Sequence, residues 1–213
     1  MKRKFLIGII ILILMFSFTA SGAEKKSDEL KRMGIFISNF TEQGLYNFDL
    51  KKEDEREDDD EMLHLGATSN MSELIRFGIA HNVINNPKST IRKCTRRNCE
   101  YGSSTMTGKS VAEAVRKYFD LSIRNQSVLD DSPEAFYDGE SYHFEPNQWK
   151  RETVYYAEVQ EVSQRRGIII MTGELYNLHD KSERPATFTA EAKPYKWNKK
   201  DTWAILSLMV DWR

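Results

Sequence analysis

The chain has 213 residues, with 31 Lys and Arg against 32 Asp and Glu, for a formal net charge of −1. So balanced a charge supplies no basic field to hold a phosphate backbone, and nucleic acid is excluded as a partner. The length suits one domain with at most a small addition.

The chain opens on Lys2, Arg3 and Lys4, followed by an uncharged apolar run from Phe5 to Phe18 and the small residues Ser21-Gly22-Ala23. The run is shorter than the about 20 residues that a spanning helix needs, and the three-part layout is that of a secretory signal peptide. Residues 1–23 are therefore expected to be removed, with an uncleaved anchor as the alternative. No later stretch is long enough to span a bilayer, so the expected location is the periplasm, the cell envelope or the exterior. The remainder, 24–213, is read as a single domain.

Leu30, Met33, Ile37 and Phe40 recur at helical spacing, with Gly34 inside the pattern and Gly44 placed to end it. The acidic run from Lys51 to Met62 reads as a mobile, solvated loop, because it lacks the alternation and the glycine of a calcium loop. Ser72 is placed to cap a second helix with Leu74, Phe77, Ile79 and Val83 on its apolar face, ended by Asn85-Asn86-Pro87.

Cys94 and Cys99 are the two cysteines. In an exported chain an even, closely spaced pair is expected to form one disulfide. The arms "STIRKC" and "CEYGSST" would flank a turn at Thr95 to Asn98. A metal pair is the alternative, but the four-residue gap, the missing second pair and the lack of a His nearby in the sequence speak against it. No metal and no cofactor are expected.

"TMTGKSVAEA" contains Gly-Lys-Ser, which raises the question of a phosphate loop. That loop needs four residues between its glycines, so that successive backbone N–H groups wrap the phosphates. Gly102 and Gly108 have five between them, Ser103 to Thr107, and the preceding stretch is polar. Nucleotide is excluded. Ser110 and Glu113 instead fit a capping box, with Val111, Ala114, Val115, Tyr118 and Phe119 on the helix behind it. Lys109 is then a solvated side chain of the first turn.

From Ala135 the period shortens to that of strands. Asp138-Gly139 is the expected turn of a hairpin, and "TVYYAEVQEV", "GIIIMTGELYNL", "ATFTAEAKPYKW" and "TWAILSLMVDW" follow. In the third of these Phe188, Ala190 and Ala192 face one way and Thr187, Thr189, Glu191 and Lys193 the other. The last is apolar on both sides and is expected to be covered or central. Helices first and strands afterwards imply an α+β fold with helices on one face of a twisted antiparallel sheet. Cystatin-like and nuclear-transport-factor-two-like folds share that element order.

No catalytic constellation is visible, and no catalytic residue is assigned. His64, His81, His143 and His179 show no His-x-x-x-His spacing, and no Gly-x-Ser-x-Gly elbow occurs. His81 with Asn82, Asn85 and Asn86 is the candidate ligand or polar site, a helix end crowded with hydrogen-bonding groups. His143, between aromatic neighbours, reads as structural. The aromatics of the C-terminal half read first as sheet core and second as a binding groove.

"GIFISNFTEQGLYNFD", "LIRFGIAHNVINNPKSTI", "CEYGSSTMTGKSVAEAVRKYF", "YYAEVQEV" and "DTWAILSLMVD" together resemble a group of uncharacterised exported proteins and lipoproteins of anaerobic and Gram-positive bacteria. The resemblance implies export but no reaction, so it transfers no catalytic residue. This chain lacks the lipobox cysteine of the lipoprotein members, which implies soluble export. The expected function is a non-enzymatic binding or envelope-associated domain, whose partner is a small ligand or an envelope protein. A secreted hydrolase with its site between sheet and helices, and an inhibitor or immunity protein, are the alternatives.

Overall fold

The computed structural model describes residues 26–50, 71–129 and 132–213. The expected signal peptide and acidic loop lie outside these residues. The first helix, α1, covers 26–41. It is followed by β1 (Phe48–Asp49), α2 (Met71–Asn85), the short α3 (Pro87–Thr90), β2 (Arg92–Lys93), β3 (Ser104–Thr107) and α4 (Gly108–Phe119). Strands β4 (Phe136–Tyr137), β5 (Ser141–Phe144), β6 (Tyr155–Arg165), β7 (Ile168–Asn177), β8 (Ala186–Trp197) and β9 (Lys200–Trp212) complete the chain, with one 3₁₀ turn at Pro146–Trp149.

The fold is α+β, with two antiparallel sheets where the sequence pointed to one. The larger runs β1-β9-β8-β7-β6 and the smaller β2-β3-β5-β4. The difference lies in "AFYDGESYHF". Its arms do pair with each other, but β5 also pairs with β3 in a register that sets Thr105 opposite His143. That joins the hairpin to the cysteine segment and leaves the four long strands to form their own sheet.

Helix α2 explains why two sheets can form. Leu74 and Phe77 enter the core of the large sheet, with Phe40, Val115, Phe119, Phe188 and Leu208. Ile75, Ile79 and Val83 enter a second core with Met106, Val111, Tyr142, Phe144 and Trp149. A helix that is apolar on two faces must be covered on both. Helix α4 does the same with Val111 on one side and Val115 on the other. The two helices meet at Gly78, where a Cβ would stand 2.6 Å from Val111 Cγ1 and 2.8 Å from the Val111 carbonyl oxygen.

Local chemistry sets the element ends. The N-cap of helix α4 lies three residues before the expected Ser110. Thr107 is its N-cap, and its hydroxyl accepts the Ser110 N–H at 3.2 Å. Two Thr/Ser oxygens compete for one helix start, and the strand geometry of Thr107 selects the earlier one. Ser72 likewise falls inside α2, which is already helical at Met71. The β4–β5 turn centres on Gly139-Glu140, one residue later than expected. The Asp138 N–H donates to the Ser141 carbonyl, and Gly139 takes the positive φ of 103°. The turns β6–β7 (Arg166-Gly167) and β8–β9 (Asn198-Lys199) have positive φ at both central residues, as two-residue hairpins require.

The expected β8 faces are those observed, with Phe188, Ala190 and Ala192 buried. Strand β9 lies between β8 and the two-residue β1. Edge strand β6 is partly covered by α1. Thr41 Oγ1 donates to the Tyr155 carbonyl at 2.7 Å, and the Ala157 N–H donates to Ser38 Oγ at 3.0 Å, so groups on the open edge are satisfied.

The α2–α4 contact has a measurable consequence. Alanine at Gly78 would gain about 1 kcal/mol of helix propensity. Overpacking against Val111 costs about 1–3 kcal/mol. Gly78→Ala is therefore expected to lower stability in chemical denaturation, and Gly78→Val to lower it further. An unchanged midpoint for both would show that the helices can part freely.

Candidate functional site

The four polar residues singled out at the end of α2 form one network, in which Asn86 Nδ2 donates to Asn82 Oδ1 at 3.4 Å, and a residue that the sequence reading passed over completes it. Asn85 Nδ2 donates to Glu42 Oε1 at 2.5 Å and lies 3.2 Å from His81 Nδ1, while Asn86 Nδ2 lies 3.5 Å from His81 Nε2. Glu42 follows directly on α1, and Asn85 ends α2, so the carboxyl bridges two helix ends. Asn82 has a second role besides. Its amide donates to the Gly78 carbonyl at 2.9 Å and to the Ser110 carbonyl at 3.1 Å, which fastens α2 to the first turn of α4.

His81 is 4% exposed. Its ring stacks on Phe77 and meets the Tyr118 ring edge-on at 4.7 Å. Burial disfavours the imidazolium and Lys117 repels it, which together lower its pKa to about 3. Glu42 is 3% exposed, and burial raises its pKa against the lowering effect of the Asn85 bond. Burial thus favours the uncharged form of both groups, and the link between them is a neutral amide.

Glu42 also lines a cleft of about 420 Å³ whose other walls include Val83, Ile84, Ile91, Leu178, Lys150 and Arg151. Lys150 and Arg151 are exposed and form no ion pair among the described residues. Among the described residues, no Ser, Thr, Cys or His lines this cleft. Neither His81 nor Asn85 is among its walls.

The cysteine segment is the second region of interest. Pairing in the β2–β3 ladder is confined to Arg92↔Thr105 and Lys93↔Ser104, with the Cys94 N–H donating to the Ser103 carbonyl at 2.9 Å. Both cysteines thus sit in a loop of 94–103 rather than in strand arms. They are unbonded to each other. The argument that no His lies nearby fails in three dimensions. His143 of β5 places Nδ1 3.4 Å from Cys94 Sγ and 3.5 Å from Cys99 Sγ. Its Nε2 lies 2.9 Å from Asp138 Oδ2.

Lys109 is 82% exposed and faces Glu113 at 3.8 Å, a solvated first-turn pair. Glu42 was missed because it sits among polar residues after a helix, with nothing in its neighbours to mark it as buried. His143 was set apart from the cysteines because their contact depends on the β3–β5 pairing. No family model, curated protein or solved structure matches this chain.

The buried groups set the acid response. Between about 3 and 6.5 the unfolded imidazole of His81 binds a proton that the folded one refuses. Its contribution is present above 6.5 and is lost as pH falls through that window. Glu42, with its pKa raised above 4.5, acts oppositely. The folded carboxyl holds its proton longer, so its contribution is present at acid pH and fades as pH rises. The stability advantage of the native chain over His81→Gln, read from urea midpoints, is expected to narrow as pH falls from 6.5 toward 3. A constant difference would show that the imidazole titrates normally.

Proposed function

We propose that the chain is an exported bacterial binding protein, without enzymatic activity, that holds a small, largely apolar anion in the cleft beside Glu42. The observation that carries this reading is the composition of that cleft. Aliphatic walls from Val83, Ile84, Ile91 and Leu178 surround one buried carboxyl, and two exposed cations that form no ion pair among the described residues stand beside them. Ligand sites commonly combine apolar walls with a few convergent polar groups. Lys150 and Arg151 favour an anionic group, and burial, which raises the Glu42 pKa, weakens the opposition of its carboxyl to such a group.

Two features favour binding over hydrolysis. The described walls hold no serine, threonine, cysteine or histidine, and the hydroxyl they do offer, the phenol of Tyr156, has its pKa raised by burial, which disfavours the phenolate. The one perturbed imidazole nearby is enclosed by Phe77 and Tyr118 and has an asparagine amide beside each ring nitrogen. Export rests on the N-terminal pattern and on the resemblance to exported bacterial proteins.

Anilinonaphthalene sulfonate, an apolar ring system with one anionic group, is a suitable probe. Saturable fluorescence enhancement is expected, and Ile84→Trp, which fills the cleft from a half-buried position, should abolish it. Replacing Lys150 and Arg151 together by alanine should weaken binding on the order of tenfold, equal to about 1.4 kcal/mol. Dye binding that survives Ile84→Trp would place the site elsewhere and sink the reading. Export is tested separately, by sequencing the N-terminus of protein recovered outside the cytoplasm. It should begin at Glu24, and a retained Met1 would contradict cleavage.

A further inference from the structure

We propose that Cys94, Cys99 and His143 form a binding site for a thiophilic metal ion of the zinc class, with Asp138 as the residue that orients the imidazole. The inference is independent of the cleft beside Glu42, and either can fail without the other.

The donor atoms converge as a metal would require. Cys94 Sγ, Cys99 Sγ and one His143 ring nitrogen lie within 4.8 Å of one another. A tetrahedral zinc, with Zn–S about 2.3 Å and Zn–N about 2.0 Å, sets neighbouring sulfur and nitrogen roughly 3.5 Å apart. The observed separations are 3.4 and 3.5 Å. Hydrogen bonding alone does not account for both contacts. A neutral imidazole has one acceptor nitrogen, and it can take one S–H, leaving the second thiol without that partner. Two sulfurs directed at a single lone pair are better explained by a cation lying between them.

The surroundings of His143 select which nitrogen faces the sulfurs. Asp138 Oδ2 accepts from Nε2 at 2.9 Å, so the proton sits on Nε2 and the Nδ1 lone pair points at the cysteines. Carboxylates commonly hold metal-binding histidines in this way. Asp138 is itself fixed. Its Oδ1 accepts the N–H groups of Glu140 and Ser141 at 3.0 and 2.8 Å, and its Oδ2 also accepts from Arg96 at 2.8 Å. Arg96 belongs to the loop between the two cysteines, so the carboxylate that orients the imidazole also fastens the loop carrying the sulfurs. The chelate is assembled from the β2–β3 loop and from β5.

Two thiolates and an imidazole favour zinc and softer ions over magnesium or calcium. Three protein donors leave one tetrahedral position. Both cysteines line a cleft of about 750 Å³, with Ser103, Glu134 and Glu145 among its other walls, so the fourth ligand can come from solvent or from a molecule in that cleft. A Cys94–Cys99 disulfide would draw the sulfurs to about 2.0 Å and remove both donors, so bridge and metal exclude one another.

The test uses the purified chain, fully reduced, with cobalt(II) as the spectroscopic stand-in for zinc. One equivalent should produce thiolate-to-cobalt charge-transfer absorption, which zinc then displaces. Cys94→Ser and Cys99→Ser should each abolish the band. Because Cys99 lies in a surface loop, its variant should keep the native circular dichroism, which separates loss of a ligand from loss of the fold. Asp138→Asn should keep the band but weaken affinity by about 10–100-fold, the loss expected when the partner of a metal-binding histidine is removed. The proposal is overturned by a reduced chain that gives no charge-transfer band, by a band unchanged in Cys99→Ser, or by a Cys94–Cys99 bond that reductant does not open.

Discussion

The contact between α2 and α4 at Gly78 is the constraint on which the rest of the structure depends. A side chain there would overlap Val111 and its carbonyl, so the helices can approach this closely only because position 78 has none. Asn82, one turn further on, donates to backbone carbonyls of both helices and fixes their relative height. The pair then behaves as one layer with two apolar faces. Each face needs a cover, and the two sheets are those covers. The large sheet buries the Phe40, Phe77 and Phe119 cluster. The small one brings Met106, Tyr142 and Phe144 against Val111, Ile75 and Ile79.

How much of this was legible in the sequence follows from how local each signal is. The apolar faces of α1 and α2 and the alternation in β8 are properties of neighbouring residues, and they were readable. So was the presence of a helix after "TMTG", although its cap lay at Thr107 rather than Ser110 because both residues offer a suitable hydroxyl. The second sheet was not readable. Strands β2 and β4 are two residues each, too short to show a period. The pairing of β3 with β5 joins Thr105 to His143 across a helix and a long connection. Such a contact leaves no trace in either local stretch.

The same distinction separates the two sites. The crowd of His81, Asn85 and Asn86 stood out because those residues are adjacent, and the structure does gather them. It also changes their meaning. The imidazole is enclosed by Phe77 and Tyr118, and the group that reaches the cleft is Glu42, from the turn after α1. The cysteines stood out as well, but their partner was hidden, because a histidine becomes a neighbour here only after the small sheet has closed.

The two regions are joined by short lengths of chain. Ile91 lines the cleft beside Glu42, and Cys94 follows after β2. Pro146 lines the same cleft, and His143 precedes it in β5. The residues that wall the cleft and those that hold the sulfur–imidazole cluster therefore sit on two segments held side by side through β3. Pairing of β2 is limited to two residues, so its backbone ladder is a weak restraint on the loop that follows. The stronger restraints are side-chain contacts: Arg96 on Asp138, Asp138 on His143, and His143 between the sulfurs. A cation at the sulfurs would add a further tie between the same two segments, and it would act on the wall of the cleft as well as on the loop. The chemistry of the cysteine loop and the shape of the neighbouring cleft are thus set by one small sheet. That sheet exists because the helical layer beneath it has a second apolar face to cover.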